Sequence, residues 1–239
     1  MGRELARSCA GPHASRNRVV TQAIQPAADE NFKNVGTIGG LTAVSRVFGF
    51  VRDMLLSRAL GAGLAADAWQ LAFTLPNTFR RLFAEGAFSV AFVPMYTRKL
   101  GATGDDDLSA DEFATDVLSI FVWVLLAFSA LCMIAMPGIV WALAREYQDV
   151  PGKFDLAVTL SRITFPYLAL VSLVAMLSGV LNARSKFAPG AFVPVLLNIV
   201  LIAAILSGSA WRDRIGGGDV SVAYALAIGL SAAGLFQLA

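Results

Sequence analysis

Long apolar stretches dominate this chain and constrain its fold more than any motif does. A transmembrane helix needs about 20 apolar residues, and beyond a polar start such stretches follow one another to the last residue. Only 15% of the 239 residues are Asp, Glu, Lys or Arg, whereas soluble domains average about 25%. The composition therefore excludes an ordinary soluble enzyme and a disordered chain, and it predicts an all-α, polytopic membrane protein.

The apolar stretches predict a bundle of six transmembrane helices within residues 33–239. We expect the spans at about 35–60, 66–98, 113–144, 156–183, 188–209 and 220–239. Residues 1–32 are polar and lack the apolar core of a signal peptide, which favours a disordered cytoplasmic tail. The final span reaches the last residue without a closing polar segment. That ending is typical of a fragment.

Basic residues between the spans predict the orientation, because cytoplasmic loops are enriched in Lys and Arg. An N-terminus in the cytoplasm places more of them inside than outside. The inside would hold Arg3, Arg7, Arg16, Arg18, Lys33, Arg98, Lys99, Arg184 and Lys186, and the outside Arg145, Lys153, Arg212 and Arg214. We therefore expect a multi-pass protein with its N-terminus in the cytoplasm.

Several function classes lack support in the sequence. The net charge of +2 is too small to predict a nucleic-acid partner. Cys9, Cys132 and His13 are too few and too scattered to predict a metal site or a disulfide framework. No pairing of a nucleophile with a base predicts catalysis. We expect no catalytic residue, no metal and no cofactor.

The first span carries charged residues, which are costly in the centre of a bilayer. At about 100° per residue, six of its residues share an arc of roughly 120°. They are Thr42, Ser45, Arg46, Gly49, Arg52 and Asp53. Arg58 falls on the opposite side near the helix end, where its head group can reach the interface. The first helix should therefore present one polar face.

The second span carries a similar polar stripe. Its members are Asp67, Gln70, Thr74, Asn77, Arg81, Glu85 and Ser89. Arg81 and Glu85 form an i,i+4 pair, whereas Arg80 lies off the stripe. Pro76 is expected to kink the helix, so the stripe can rotate beyond it.

Two polar faces with several arginines indicate a wet cavity that receives an anion, because guanidinium grips phosphate with two hydrogen bonds. The alternative is that arginines and carboxylates pair inside the bundle. Asn198, a polar residue within the fifth span, predicts a hydrogen bond between helices.

Three stretches of the first two spans closely resemble the MurJ/MviN lipid II flippases of bacterial cell-wall synthesis, within the MOP exporter superfamily. They read SRVFGFVRD at 45–53, FTLPN at 73–77 and RRLFAEGAFS at 80–89, followed by AFVP at 91–94. TFPY at 164–167 and PVLLN at 194–198 resemble later helices of that family. The resemblance extends from about residue 34 to the end.

This resemblance implies that the six helices form one lobe of a two-lobed transporter, whose second lobe is missing here. Such a protein moves lipid II, a polyprenyl-diphosphate-linked peptidoglycan precursor, from the inner to the outer leaflet of the bacterial inner membrane by alternating access. The positions that match the family's substrate-binding arginines are Arg46, Arg52 and Arg80. The expected supporting residues of the cavity are Ser45, Asp53, Asp67, Arg81 and Glu85. Periodicity alone favours Arg81 over Arg80.

Two other readings remain. One is a flippase for another polyprenyl-diphosphate-linked saccharide. The other is a membrane scaffold of the cell-wall machinery that transports nothing. Expected partners are lipid II, membrane lipids and cell-wall synthesis or division proteins.

Overall fold

The computed structural model describes residues 36, 39–81, 92, 94–98, 107–184, 188–215 and 217–238. Every regular element in these ranges is helical, which confirms the predicted fold class. The helices are α1 at 39–60, α2 at Leu64–Arg80, α3 at Asp107–Leu143, α4 at Lys153–Thr164, α5 at Pro166–Ala183, α6 at Ala188–Ile215 and α7 at Gly218–Leu238. Residues 94–98 are also helical, and a 3-10 helix at Arg145–Asp149 precedes α4. The polar segment 1–32 lies outside the described residues.

Four stretches of the described chain are long and apolar enough to cross a membrane. They are Asp111–Leu143, Lys153–Ala183, Ala188–Arg214 and Gly218–Leu238, and they match the last four predicted spans. α1 and α2 are helical where the first two spans are predicted. They are not among the four stretches because α1 carries several charges and α2, with 17 residues, is slightly too short.

The helix ends differ from the predicted span ends. α6 continues to Ile215 rather than stopping near residue 209, so that most of the link between the last two predicted spans is helical. Arg212 stabilises this extension by donating to the main-chain oxygen of Ala59 (3.1 Å) and to Asp219 (3.3 Å). Hydropathy measures the part of a helix that lies in lipid, not the polar turns that continue beyond it.

Bonds at the two ends of the bundle show that successive spans alternate in direction, with α4 and α5 together forming one span. At one end, Arg184 after α5 donates to the hydroxyl of Tyr96 (2.9 Å) and forms an ion pair with Asp111 of α3. At the other end, Lys153 at the start of α4 pairs with Asp67 at the start of α2 (2.6 Å). We call these the Arg184 end and the Lys153 end. The predicted topology puts Arg184 and Lys153 on opposite sides of the membrane, and they lie at opposite ends of the bundle.

α7 lies at the centre of the main core and contacts α2, α4, α5 and α6. Its buried residues recur at helical spacing: Val222, Ala223, Leu226, Ala227, Leu230, Ala233 and Gly234. Gly229 and Gly208 let α6 and α7 approach closely, since a Cβ on Gly229 would lie 2.6 Å from the Cβ of Ala204. Small residues at helix contacts are the usual means of close packing in membranes.

Prolines within the helices free carbonyl groups, and neighbouring helices satisfy them. Pro76 removes the donor that the carbonyl of Ala72 would normally use, and the hydroxyl of Thr164 donates to that oxygen at 2.8 Å. Pro137 does the same to Met133, whose oxygen accepts from Nε of Arg162 at 3.0 Å. Both donors stand at the break between α4 and α5. Thr164 and Arg162 therefore link the end of α4 to α2 and α3 through hydrogen bonds.

We expect Thr164→Val to destabilise the protein by about 1 kcal/mol, the scale of a hydrogen bond between membrane helices. The change keeps the shape of the buried side chain but leaves the Ala72 carbonyl without its donor. The matched control is Thr159→Val, because the exposed Thr159 bonds only within its own helix, to the oxygen of Asp155. Reversible unfolding of the purified protein in detergent measures both changes. Equal stability of the two variants would contradict the role given to Thr164.

Candidate functional site

The polar face of α1 exists as predicted, and it is divided into two edges. Ser45, Gly49 and Arg52 are half-buried and turn toward α6. The other edge is exposed and carries Arg46 and Asp53. α1 therefore combines a docking edge with an open, charged edge.

Arg52 is held by bonds from two helices. Its Nε and one terminal nitrogen donate to the same carboxylate oxygen of Asp53, at 3.0 and 2.8 Å, and the other terminal nitrogen donates to Oδ1 of Asn198 at 2.9 Å. The guanidinium also stands 5.8 Å from the ring centre of Phe73 on α2. A guanidinium has five N–H donors, so these three bonds leave two for a ligand. The side chain of Arg52 is 20% exposed and that of Asp53 is 63% exposed.

A cleft of about 370 Å³ lies beside this guanidinium. Its lining comes from four helices: Arg52, Asp53, Leu56 and Ser57 of α1, Trp69, Gln70 and Phe73 of α2, Leu201 of α6 and Leu226 of α7. The short link at 61–63 makes α1 and α2 neighbours, and Gly61 adopts a left-handed φ of +59° there. The cleft therefore has a charged wall on α1 and an aromatic wall on α2.

The two arginines at the end of α2 face different surroundings. The helix continues through Pro76 to Arg80. Arg80 is half-buried and interacts with Tyr167 of α5, whereas Arg81 is exposed like Gln70 and Thr74 of the predicted stripe. Glu85 lies outside the described residues, and so does its predicted pairing with Arg81.

Asp67 belongs to a cluster at the Lys153 end. Its carboxylate pairs with Lys153, and its main-chain oxygen accepts from the hydroxyl of Tyr147 at 3.2 Å. Burial, with a smaller contribution from the Asp67 charge, raises the pKa of the Tyr147 hydroxyl. The ammonium of Lys153 also stands 4.3 Å from the ring centre of Tyr147. The structure thus joins Asp67 to the loop before α4, which periodicity within α2 does not indicate.

The remaining arginines within the predicted spans have separate places. Arg58 is exposed near the end of α1, as its position off the polar face predicts. Arg162 supports α3 through the Met133 carbonyl. Among the described residues, no three His, Cys, Asp or Glu side chains lie together as metal ligands would.

The arrangement is suited to bind an anion that enters from the membrane. Arg52 offers two donors at a cleft, and Arg46 adds an exposed cation six residues earlier, about 9 Å along the helix axis. Hydrogen bonds from guanidinium to phosphate are among the stronger ones in proteins. Apolar side chains exposed on α1, including Val47, Phe50 and Met54, can contact a lipid chain next to these charges.

Comparisons with known proteins agree on one family. The sequence model of the family described as "Lipid II flippase MurJ" matches residues 56–239. A probable lipid II flippase MurJ of Rhizobium meliloti is 46% identical over 208 residues, which cover 87% of this chain and 38% of that protein. The lipid II flippase MurJ of Burkholderia cenocepacia is 41% identical over 174 residues, covering 72% of this chain and 33% of that protein.

A solved structure also matches the fold. It is described as lipid II flippase MurJ in an inward closed conformation, and it superposes with a TM-score of 0.61 at 26% identity over 83% of this chain and 40% of that chain. The chain spans less than half the length of these relatives. The family model covers well over half of the chain, and the relatives share its sequence far beyond the polar face of α1. This multi-pass membrane chain therefore belongs to the lipid II flippase MurJ family.

Proposed function

We propose that this chain forms one lobe of a transporter that moves lipid II from the inner to the outer leaflet of the bacterial inner membrane. The observation that carries the proposal is the guanidinium of Arg52, which bonds to Asp53 and Asn198 beside a cleft while two of its donors stay available. Arginines within membrane bundles are rare and commonly mark a substrate pathway, even where they pair with a carboxylate.

The diphosphate of lipid II is the group that this site is suited to receive. Along α1, Arg52 lies about 12 Å and Arg46 about 21 Å from the end of the helix at the Lys153 end, at 1.5 Å per residue. Arg81, at the far end of α2, lies about 25 Å from the start of that helix. Cations at these successive heights would pass a diphosphate from one to the next while the polyprenyl chain stays in the lipid.

The second half of the site is expected on a second lobe. The relatives are more than twice as long as the matched region, and the open edge of α1 would face the partner lobe across the transport pathway. Rocking of the two lobes would expose the head group first inside and then outside. The arginines of the N-terminal segment, such as Arg3 and Arg7, support a cytoplasmic N-terminus. Cell-wall synthesis or division proteins are further candidate partners.

The test is transport by the full-length protein in vesicles that contain lipid II. We expect the protein to make inner-leaflet lipid II accessible to an impermeant enzyme outside, well above protein-free vesicles. A vesicle set with another polyprenyl-diphosphate-linked saccharide tests substrate choice. Transport of that lipid alone would favour a different flippase, and no transport of either lipid would favour the scaffold function.

Single alanine variants distinguish the two adjacent arginines of α2. The family resemblance predicts that Arg80 contacts the substrate. The exposure of Arg81 favours Arg81 as the contact instead. We expect Arg81→Ala to lower transport about tenfold, as loss of one phosphate contact would. Arg80→Ala should mainly lower stability, because Arg80 is half-buried and interacts electrostatically with Tyr167 of α5. If Arg80→Ala lowers transport and Arg81→Ala lowers only stability, Arg80 is the residue that contacts the substrate.

A further inference from the structure

Asn198 is a buried amide in the middle of the apolar stretch at 188–206 of α6. Asn198 is 6% exposed, and both the oxygen and the nitrogen of its amide bond to α1. Oδ1 accepts from Arg52 at 2.9 Å, and Nδ2 donates to the main-chain oxygen of Ser45 at 3.1 Å. A buried amide is costly unless both ends are satisfied, and here α1 satisfies both.

The amide of Asn198 packs directly against α1. Gly49 lies between Ser45 and Arg52 on the same edge of the helix, and a Cβ at Gly49 would lie 3.5 Å from Nδ2 of Asn198. That distance is ordinary van der Waals contact, so the amide lies next to α1 at this level. The amide thus sits within the polar edge of α1 and determines how that edge meets α6.

The bond from Asn198 limits the freedom of Arg52. Arginine side chains carry about 2 kcal/mol of rotamer entropy, and Asp53, the adjacent residue, moves with α1. The bond to Asn198 therefore fixes the guanidinium relative to a second helix, α6. Without it, the ion pair of Arg52 and Asp53 could swing together away from the cleft.

We propose that Asn198 is a positioning residue that orients the Arg52 guanidinium of α1 toward the cleft so that its two remaining donors meet the diphosphate of the lipid. This inference rests on the proposed function. Asn198 makes its contribution through Arg52 and does not itself touch the substrate. The bond to Ser45 keeps the amide in the rotamer that accepts from Arg52.

A double-mutant comparison tests the proposal. The variants are Asn198→Ala, Arg52→Ala and the combination in the full-length protein, and native mass spectrometry measures lipid II affinity on folded protein only. We expect Asn198→Ala to weaken lipid II binding about tenfold in the wild-type background, within the range of couplings between contacting residues. In the Arg52→Ala background it should change affinity less than about twofold, because the group it positions is gone. Asn198→Gln, which keeps both amide functions, should recover most of the affinity.

The matched control is Ser231→Ala. Ser231 makes an interhelical bond from α7 to the main-chain oxygen of Ile163 at 2.6 Å, and it does not line the cleft. It should lower stability without changing lipid II affinity.

Three results would overturn the proposal. An equal loss from Asn198→Ala in both backgrounds would show that Asn198 acts by docking α1 rather than through Arg52. Unchanged affinity of Asn198→Ala in the wild-type background would show that Arg52 needs no positioning, while leaving the proposed function intact. Unchanged affinity of Arg52→Ala would remove the proposed binding site itself, and this inference with it.

Discussion

Replacing Arg52 with alanine should reduce lipid II transport by about 100-fold, equivalent to about 2.7 kcal/mol of lost stabilisation. The change removes two available donors at the cleft and leaves the carboxylate of Asp53 without its cation. An unbalanced carboxylate would then repel the diphosphate that the arginine attracts. Arg52→Lys should retain part of the activity, since a lysine keeps the charge but cannot bond with a planar fork.

The control for this prediction is Arg58→Ala on the same helix. Arg58 is exposed near the end of α1 and lies off its polar face, so its loss should change transport less than about twofold, as surface substitutions usually do. Transport by each variant is measured in lipid II vesicles, with protein amount and unfolding compared in parallel. A similar loss in Arg52→Ala and Arg58→Ala would mean that general charge, not an oriented site, governs transport.

Introducing leucine at Gly229 should prevent the lobe from folding properly. Its Cβ would lie 2.6 Å from the Cβ of Ala204, closer than real side chains approach, and α6 and α7 would have to separate. Overpacking commonly costs about 1–3 kcal/mol, and the displaced contact is made by α7 itself, the helix at the centre of the core. We expect a loss of stability at or above the upper end of that range, because the helix backbones are in close contact there and no flexible side chain can move aside.

Gly138→Leu is the matched control, because a Cβ at that position on α3 meets nothing within 4 Å. Both variants add the same apolar side chain to a glycine within a long helix. Unfolding in detergent and yield of monodisperse protein should separate them clearly. Wild-type stability of Gly229→Leu would contradict the close approach of α6 and α7.

The sequence indicates the fold well because lipid imposes a simple rule. Apolar runs of sufficient length must form helices that satisfy their own backbone bonds, and the spans predicted from residue 113 onward appear at nearly the expected places. The helix ends are less predictable. The last turns of α6 depend on bonds from Arg212 to Ala59 and Asp219, which no local pattern reveals.

The site is predictable in part. Periodicity identifies the polar face of α1, because the residues that share it lie on one helix. It misses the partners of that face on other helices. The amide of Asn198 is recognisable as a bond between helices, but its pairing with Arg52 spans 146 positions of sequence. The pairing of Asp67 with Lys153 spans 86 positions and has the same cause.

The central claim is that the polar face of α1 recognises the diphosphate of lipid II. The most direct test compares binding of lipid II with binding of the same saccharide on a polyprenyl monophosphate, in the wild-type full-length protein and in Arg52→Ala. We predict that the wild type prefers the diphosphate by about tenfold, the scale of one charge-assisted contact, and that Arg52→Ala loses this preference. An equal preference in both proteins would contradict the account, because diphosphate recognition would then lie elsewhere.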